Sequence, residues 1–186
     1  MNKETLNKII RNRKTIYPTQ FSDKDIPKTV INEILENAIH APTHRMTQPW
    51  FFKVYKGKSK DVLCEIIQKI DKEKYSPVKI NKFIEKVKLS DTIISVCMTR
   101  DESNRVPEWE EIAATAMAVQ NIWISCVNSN IGGYWSTPKY ATQLKSYLKL
   151  AINERCLGIF YIGVYKTVQK RILNRKDIES DIEWFD

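Results

Sequence analysis

A chain of 186 residues, 42% hydrophobic and 28% charged, has the makeup of a globular protein and excludes a disordered, collagen-like or fibrous one. At about 150 residues per domain, the length predicts one unit over 1–186 with a core that needs neither disulfides nor metal. Thirty Lys and Arg against 22 Asp and Glu leave a net charge of +8, but the cations are interleaved with acids, which describes a solvated surface rather than a nucleic-acid-binding arm.

In chain order, Leu6, Ile9 and Ile10 recur at helical spacing and predict a short first helix running into Arg11, Arg13, Lys14 and Thr15. Val30, Ile31, Ile34, Leu35 and Ala38 share one face of a second helix, with Pro27 suited to its first turn and Pro42 closing it. After a polar loop from Thr43 to Pro49, WFFKVYK reads as a strand ending at Gly57. Residues 59–70 and 78–88 each carry apolar residues at helical spacing. TIISVCM from Thr92 is a continuous apolar, β-branched run and hence a buried strand. Pro107 opens a long helix that sustains its pattern to about Asn130, where Gly132 and Gly133 break it. A shorter helix over 140–150 precedes a further buried strand, CLGIFYIGVY, and a charged tail with a late apolar cluster at Ile182, Trp184 and Phe185. Few strands with several helices against them predict the α+β class.

Cys64, Cys97, Cys126 and Cys156 are widely spaced without a CxxC, and three lie in apolar runs that suit small buried hydrophobes. His40 and His44 are separated by Pro42, which interrupts the helical turn that a two-histidine metal site would use, so no metal is expected. No apolar run reaches the roughly 18 residues of a membrane span, and the thiols suit a reducing cytoplasm. Walker, GxGxxG, GxSxG and HExxH patterns are all missing. The side chains are chemically underpowered for catalysis alone, which leaves two classes: a non-enzyme, or a protein whose cofactor carries the reaction.

Three stretches suit a flat, phosphate-bearing cofactor. Arg13, Lys14 and Thr15 put two cations and a hydroxyl within three residues. The loop APTHRMTQPW sets hydrogen-bonding side chains between prolines, and IGGYWSTP combines two glycines with aromatics and hydroxyls, where backbone could approach a ligand.

The order RKT, NAIHAPTHRMTQPW, VPEWEE with AVQN, GGYWST, LGIFYIGVY and NRKDIESDIEW resembles the FMN-dependent nitroreductase family over essentially the whole chain. It is most similar to short, single-domain bacterial nitroreductases whose first signature reads RRS. The resemblance implies a central, mainly antiparallel sheet flanked by helices and a homodimer with FMN at the subunit interface, its C-terminal segment exchanged with the partner. It also implies NADH or NADPH as reductant, hydride passing through flavin N5 to a nitroaromatic, quinone or similar small acceptor, and neither nucleic acid nor membrane as partner. By position, Arg13, Lys14 and Thr15 match RRS, with Lys14 and Thr15 as departures, and Arg175 and Lys176 match a terminal basic pair. His40 and His44 fall where relatives place flavin contacts from the other subunit, His40 replacing a frequent arginine. Trp135, Ser136 and Thr137 match the segment lining the flavin, and Gln48 lies in the loop near the ring. No side chain is assigned as catalytic, and the helices of about 60–88 are expected to supply the specificity pocket. A flavin-binding protein with little turnover, a related reductive dehalogenase and a cofactor-free polyanion-binding domain are the competing readings.

Overall fold

The computed structural model describes residues 3–69, 76–127, 129–138, 144–166 and 175–185. Helix α1 (Lys3–Asn12) is followed by a 3-10 turn at Pro18–Gln20, then α2 (Lys28–Ile39), a second 3-10 turn at His44–Met46, strand β1 (Trp50–Lys56) and helices α3 (Ser59–Gln68) and α4 (Pro77–Leu89). Strand β2 (Thr92–Thr99), the long α5 (Glu108–Ser125), β3 (Ile131–Ser136), the single turn α6 (Leu144–Tyr147), β4 (Glu154–Val164) and a 3-10 turn at Ile178–Asp181 complete the order.

The strands form one antiparallel sheet in the order β1-β2-β4-β3, so the two continuously apolar strands lie in the middle. Their side chains alternate between two helical layers, as a strand buried on both faces requires. Ile93, Ile159 and Tyr161 meet Leu63, Ile67, Phe83 and Val87 of α3 and α4. Ile94, Val96, Phe160 and Ile162 meet Ile31, Ile34, Ala118 and Ile122 of α2 and α5. The class is α+β, as the sequence predicts. All four cysteines are free and buried, and burial pushes the Cys126 thiol up to about 12.

The pairing Val96↔Gly158 is followed by Cys97↔Cys156, which leaves Leu157 as an extra residue in β4. Gly158 occupies φ +145, and a Cβ there would fall 2.6 Å from Trp135 Nε1 and 2.7 Å from the Ser136 carbonyl, so only glycine lets β3 and its side chains close over the bulge.

Several boundaries differ from the sequence reading. The long helix stops at Ser125, capped by Cys126, rather than near Asn130. Of the helix expected over 140–150, only Leu144–Tyr147 is helical, while 139–143 lie outside the described residues. The GGYWS stretch is part of strand β3 rather than only a break after the helix. Its glycines admit neighbouring side chains: a Cβ on Gly132 would meet Ile16 at 2.5 Å, and one on Gly133 would meet the Phe160 ring at 2.5 Å. The helices over 59–68 and 77–89 build one wall of the core, with Leu63, Ile67, Phe83 and Val87 buried against the sheet.

Among the exposed apolar residues, three groups stand out. Helix α1 has no buried residue and exposes Leu6 and Ile10, while α5 turns Trp109, 66% exposed, and Met117 away from the core. Trp184 and Phe185 of the tail are 82% and 85% exposed. Among the described residues no helix is long and apolar enough to cross a membrane.

Candidate functional site

The polypeptide leaving α1 runs along the outer edge of β3. The Ile16 N–H donates to the Gly133 carbonyl at 3.1 Å, and the absent Cβ of Gly132 lets Ile16 lie against the strand. This contact sets Arg13, Lys14 and Thr15 beside the sheet. The Arg13 guanidinium lies 4.9 Å from the centroid of the Trp123 ring. That ring is itself fixed, because its Nε1 donates to the Gly133 carbonyl at 2.9 Å and its face meets Phe160 edge-on at 5.3 Å. The Lys14 ammonium lies 5.6 Å from the Tyr165 ring. Arg175 reaches this cluster from the far end of the chain. Partial burial, and then the like charge of Arg175, hold the Arg13 pKa below its ordinary value.

Several charges elsewhere are paired, though many surface lysines are not. Lys56 bonds Asp25 and Asp91, Arg100 bonds the buried Glu111, Arg105 bonds Asp101 and Arg155 bonds Glu108. Among the described residues, Arg13, Lys14, Arg175 and Lys176 have no carboxylate partner. A guanidinium set over an aromatic ring, with a second guanidinium near enough to lower its pKa, suits an anion with several oxygens, such as a phosphate. Along the same strand edge, Trp135 pairs with Phe160 and Ser136 with Ile159. The Trp135 indole N–H is buried and has no hydrogen-bond partner, which leaves a donor for a bound polar group. Thr137 follows as an exposed hydroxyl.

The loop carrying His44 and Gln48 stands at the other end of α5, whereas Asn37, one turn before His40, bonds Asn121 and Ser125 near the C-terminal end of that helix. His40 caps α2 and is exposed, its Nε2 3.8 Å from Glu36. His44 begins a loop in which Arg45, Met46 and Gln48 all adopt left-handed backbone, with φ of 49, 54 and 41. Such conformations cost non-glycine residues about 1–3 kcal/mol each and persist where the surroundings impose them. Here the Gln48 N–H donates to Thr43 Oγ1 at 3.1 Å, Thr43 and Thr47 share a hydroxyl contact of 3.1 Å, and Thr47 Oγ1 donates to the His44 carbonyl at 3.2 Å. His44 Nδ1 lies 2.6 Å from Oε2 of Glu110, in the first turn of α5. From Glu110 to Trp123 the helix rises by roughly 20 Å at 1.5 Å per residue. One copy of the chain therefore gathers Arg13, Lys14, Thr15, Arg175 and the β3 strand at one place, and His44 and Gln48 at another.

Sequence reasoning missed Trp123, Tyr165 and Glu110. Trp123 reads only as another apolar helix position, because its role as a platform needs the turn that brings residues 13–16 back along β3. Glu110 sits inside VPEWEE, a motif the sequence marks without saying which carboxylate faces the loop.

The model of the Nitroreductase family matches residues 10–164. A Bacillus subtilis protein, YfhC, named as an NAD(P)H nitroreductase, is 29% identical over 164 residues, spanning 85% of this chain and 83% of its own. The crystal structure of a nitroreductase-like family protein from Bacillus cereus superposes with a TM-score of 0.86 at 22% identity, covering 100% of this chain and 98% of that one. A Desulfovibrio desulfuricans protein described as a nitroreductase in complex with FMN superposes with a TM-score of 0.75 at 21% identity, covering 100% and 99%. The fold is thus that of nitroreductase-like proteins.

Proposed function

Because the chain belongs to the nitroreductase family, we propose that it is an FMN-dependent oxidoreductase that draws on NADH or NADPH and reduces nitroaromatic, quinone or similar electron-poor acceptors in a ping-pong cycle. The observation that carries this reading is Arg13 set over the Trp123 ring with the like charge of Arg175 near enough to lower its pKa, together with a buried Trp135 indole N–H in β3 that has no partner. Both features fit a phosphate-bearing planar group. Bound FMN supplies hydride chemistry at its ring N5, which no side chain here can supply.

The chain's own part is binding and orientation. Arg13 and Arg175, with Lys176, neutralise the phosphate, and Thr15, Ser136 and Thr137 offer hydroxyls to the polyol chain. Lys14 sets a cation where negative charge gathers as the ring takes up electrons, and Trp135 donates its free N–H. His44 and Gln48, at the opposite end of α5, complete the site of a second copy together with His40. The bare apolar stripe of α5 and the exposed Trp184 and Phe185 support a homodimer with the tail laid on the partner. We place the enzyme in the cytoplasm.

The protein purified without added cofactor is expected to be yellow, to release flavin absorbance on denaturation, and to oxidise NADH or NADPH when a nitroaromatic or a quinone is present. A colourless protein that takes up no FMN defeats this reading, and a monomeric holoprotein defeats the shared site. Arg13→Ala removes a charge-assisted contact of about 1.5–3 kcal/mol and should weaken FMN binding roughly tenfold to hundredfold by fluorescence titration.

A further inference from the structure

The short bond between His44 and Glu110 has a directional consequence. A carboxylate oxygen only accepts, so at 2.6 Å the His44 Nδ1 is the N–H donor. Glu110 lies in the first turn of α5, on the side of the helix that meets the His44 loop. The neighbouring carboxylates are occupied elsewhere, Glu111 by Arg100 and Glu108 by Arg155. The imidazole is also fixed at its root, because both the N–H and the hydroxyl of Thr47 donate to the His44 carbonyl at 3.2 Å. With Nδ1 committed, Nε2 is the one ring nitrogen left to meet a ligand, as an acceptor when the ring is neutral and a donor when it is charged. His40 offers the contrast: its nearest carboxylate is 3.8 Å away, and nothing selects its tautomer.

We propose that Glu110 is a positioning residue that holds His44 in the Nδ1–H form and so presents Nε2 to the flavin bound in the site shared with a second copy. This rests on the FMN reading above. An exposed ion pair that merely decorated the surface would contribute little and would impose no ring orientation. Here the pair joins a loop with three left-handed non-glycine residues to the helix that runs between the two halves of the site.

The chain has only two histidines, so imidazole nitrogen NMR on the intact protein reads both, with His40 as the internal reference. His44 is expected to show the Nδ1–H form before FMN is added, and its Nε2 signal is expected to move when FMN binds. Glu110→Gln keeps the size of the side chain but can pair with either tautomer; it should give a tautomer mixture and an FMN Kd raised about tenfold. His44→Gln should weaken FMN binding by a similar factor, and the double variant should lose no more than either single one. An Nε2 signal indifferent to FMN, an unchanged Kd in Glu110→Gln, or additive losses in the double variant overturns the proposal. A wild-type protein that binds no FMN overturns the reading beneath it, a result distinct from all three.

Discussion

Helices α4 and α5 cover opposite faces of the same sheet, yet they finish the molecule differently. α4 buries Ile80, Phe83, Ile84 and Val87 on one side and shows Lys79, Lys82, Glu85 and Lys88 to solvent on the other. That is an amphipathic layer whose outer side is mostly charged, with Val78 and Leu89 at its two ends as its exposed apolar residues. α5 buries Ala114, Ala118, Val119 and Ile122 against the sheet and then presents Trp109 and Met117 outward. A helix that shows large apolar residues on its outer side as well as its inner one leaves that side open to a further neighbour, which is where the proposed dimer would form. The two faces of the sheet thus differ in what their helices turn outward, and Arg13, Trp123 and the pair of His44 and Glu110 lie along the second.

The sharpest test of this contrast is at the α4 face. Phe83→Ala should cost about 3–5 kcal/mol in urea unfolding, and a loss below about 1 kcal/mol would mean that α4 is not the packed layer described here. Next, Gly132→Ala drives a methyl into Ile16, which should cost about 1–3 kcal/mol through overpacking and should also weaken FMN binding, since it pushes residues 13–16 off the strand. Trp109→Ser, on the outer side of α5, should change the stability of a single copy by no more than about 0.5 kcal/mol, but should shift sedimentation toward the monomer. A variant that sediments like the parent would take Trp109 out of the interface.

The smallest effect is in acid, at the loop leading into α5. The side-chain bond from Arg105, and then its backbone N–H, hold the Asp101 carboxyl down at about 2. Its folded value lies below the unfolded one of about 3.9, so its contribution is fully present above about pH 4 and is lost as pH falls toward 2. Asp101→Asn should flatten the acid limb of a stability profile between those values and leave neutral pH unaltered in slope.

Legibility in the sequence followed the range of the forces involved. The helices with one apolar face and the strands with continuous β-branched runs could be read to within a few residues, because periodicity is local information. β3 could not be read, because Gly132 and Gly133 mark a break by propensity, and their actual reason is the approach of Ile16 and Phe160 from distant parts of the chain. The same limit applies to the site. RKT advertised its charge in three consecutive letters, whereas the aromatic floor under Arg13 and the carboxylate behind His44 come from α5, 110 and 66 positions away. Which charges remain unpaired was equally hidden, since Arg155 and Arg175 look alike in the sequence and only one of them meets an acid.

The extra residue in β4 acts as a frameshift written in side chains. Beyond Leu157 the odd positions Ile159 and Tyr161 face α3 and α4, yet before it the even position Cys156 does so. Arg155 is thereby delivered to the α5 side, where it reaches Glu108 at 3.1 Å. Deleting Leu157 would bring Cys156 next to Gly158 with their pairs to Cys97 and Val96 kept, so the ladder would become regular while Cys156 and Arg155 kept their faces. A single-residue deletion there is therefore expected to be better tolerated than an insertion beside it, which would turn a whole strand end over.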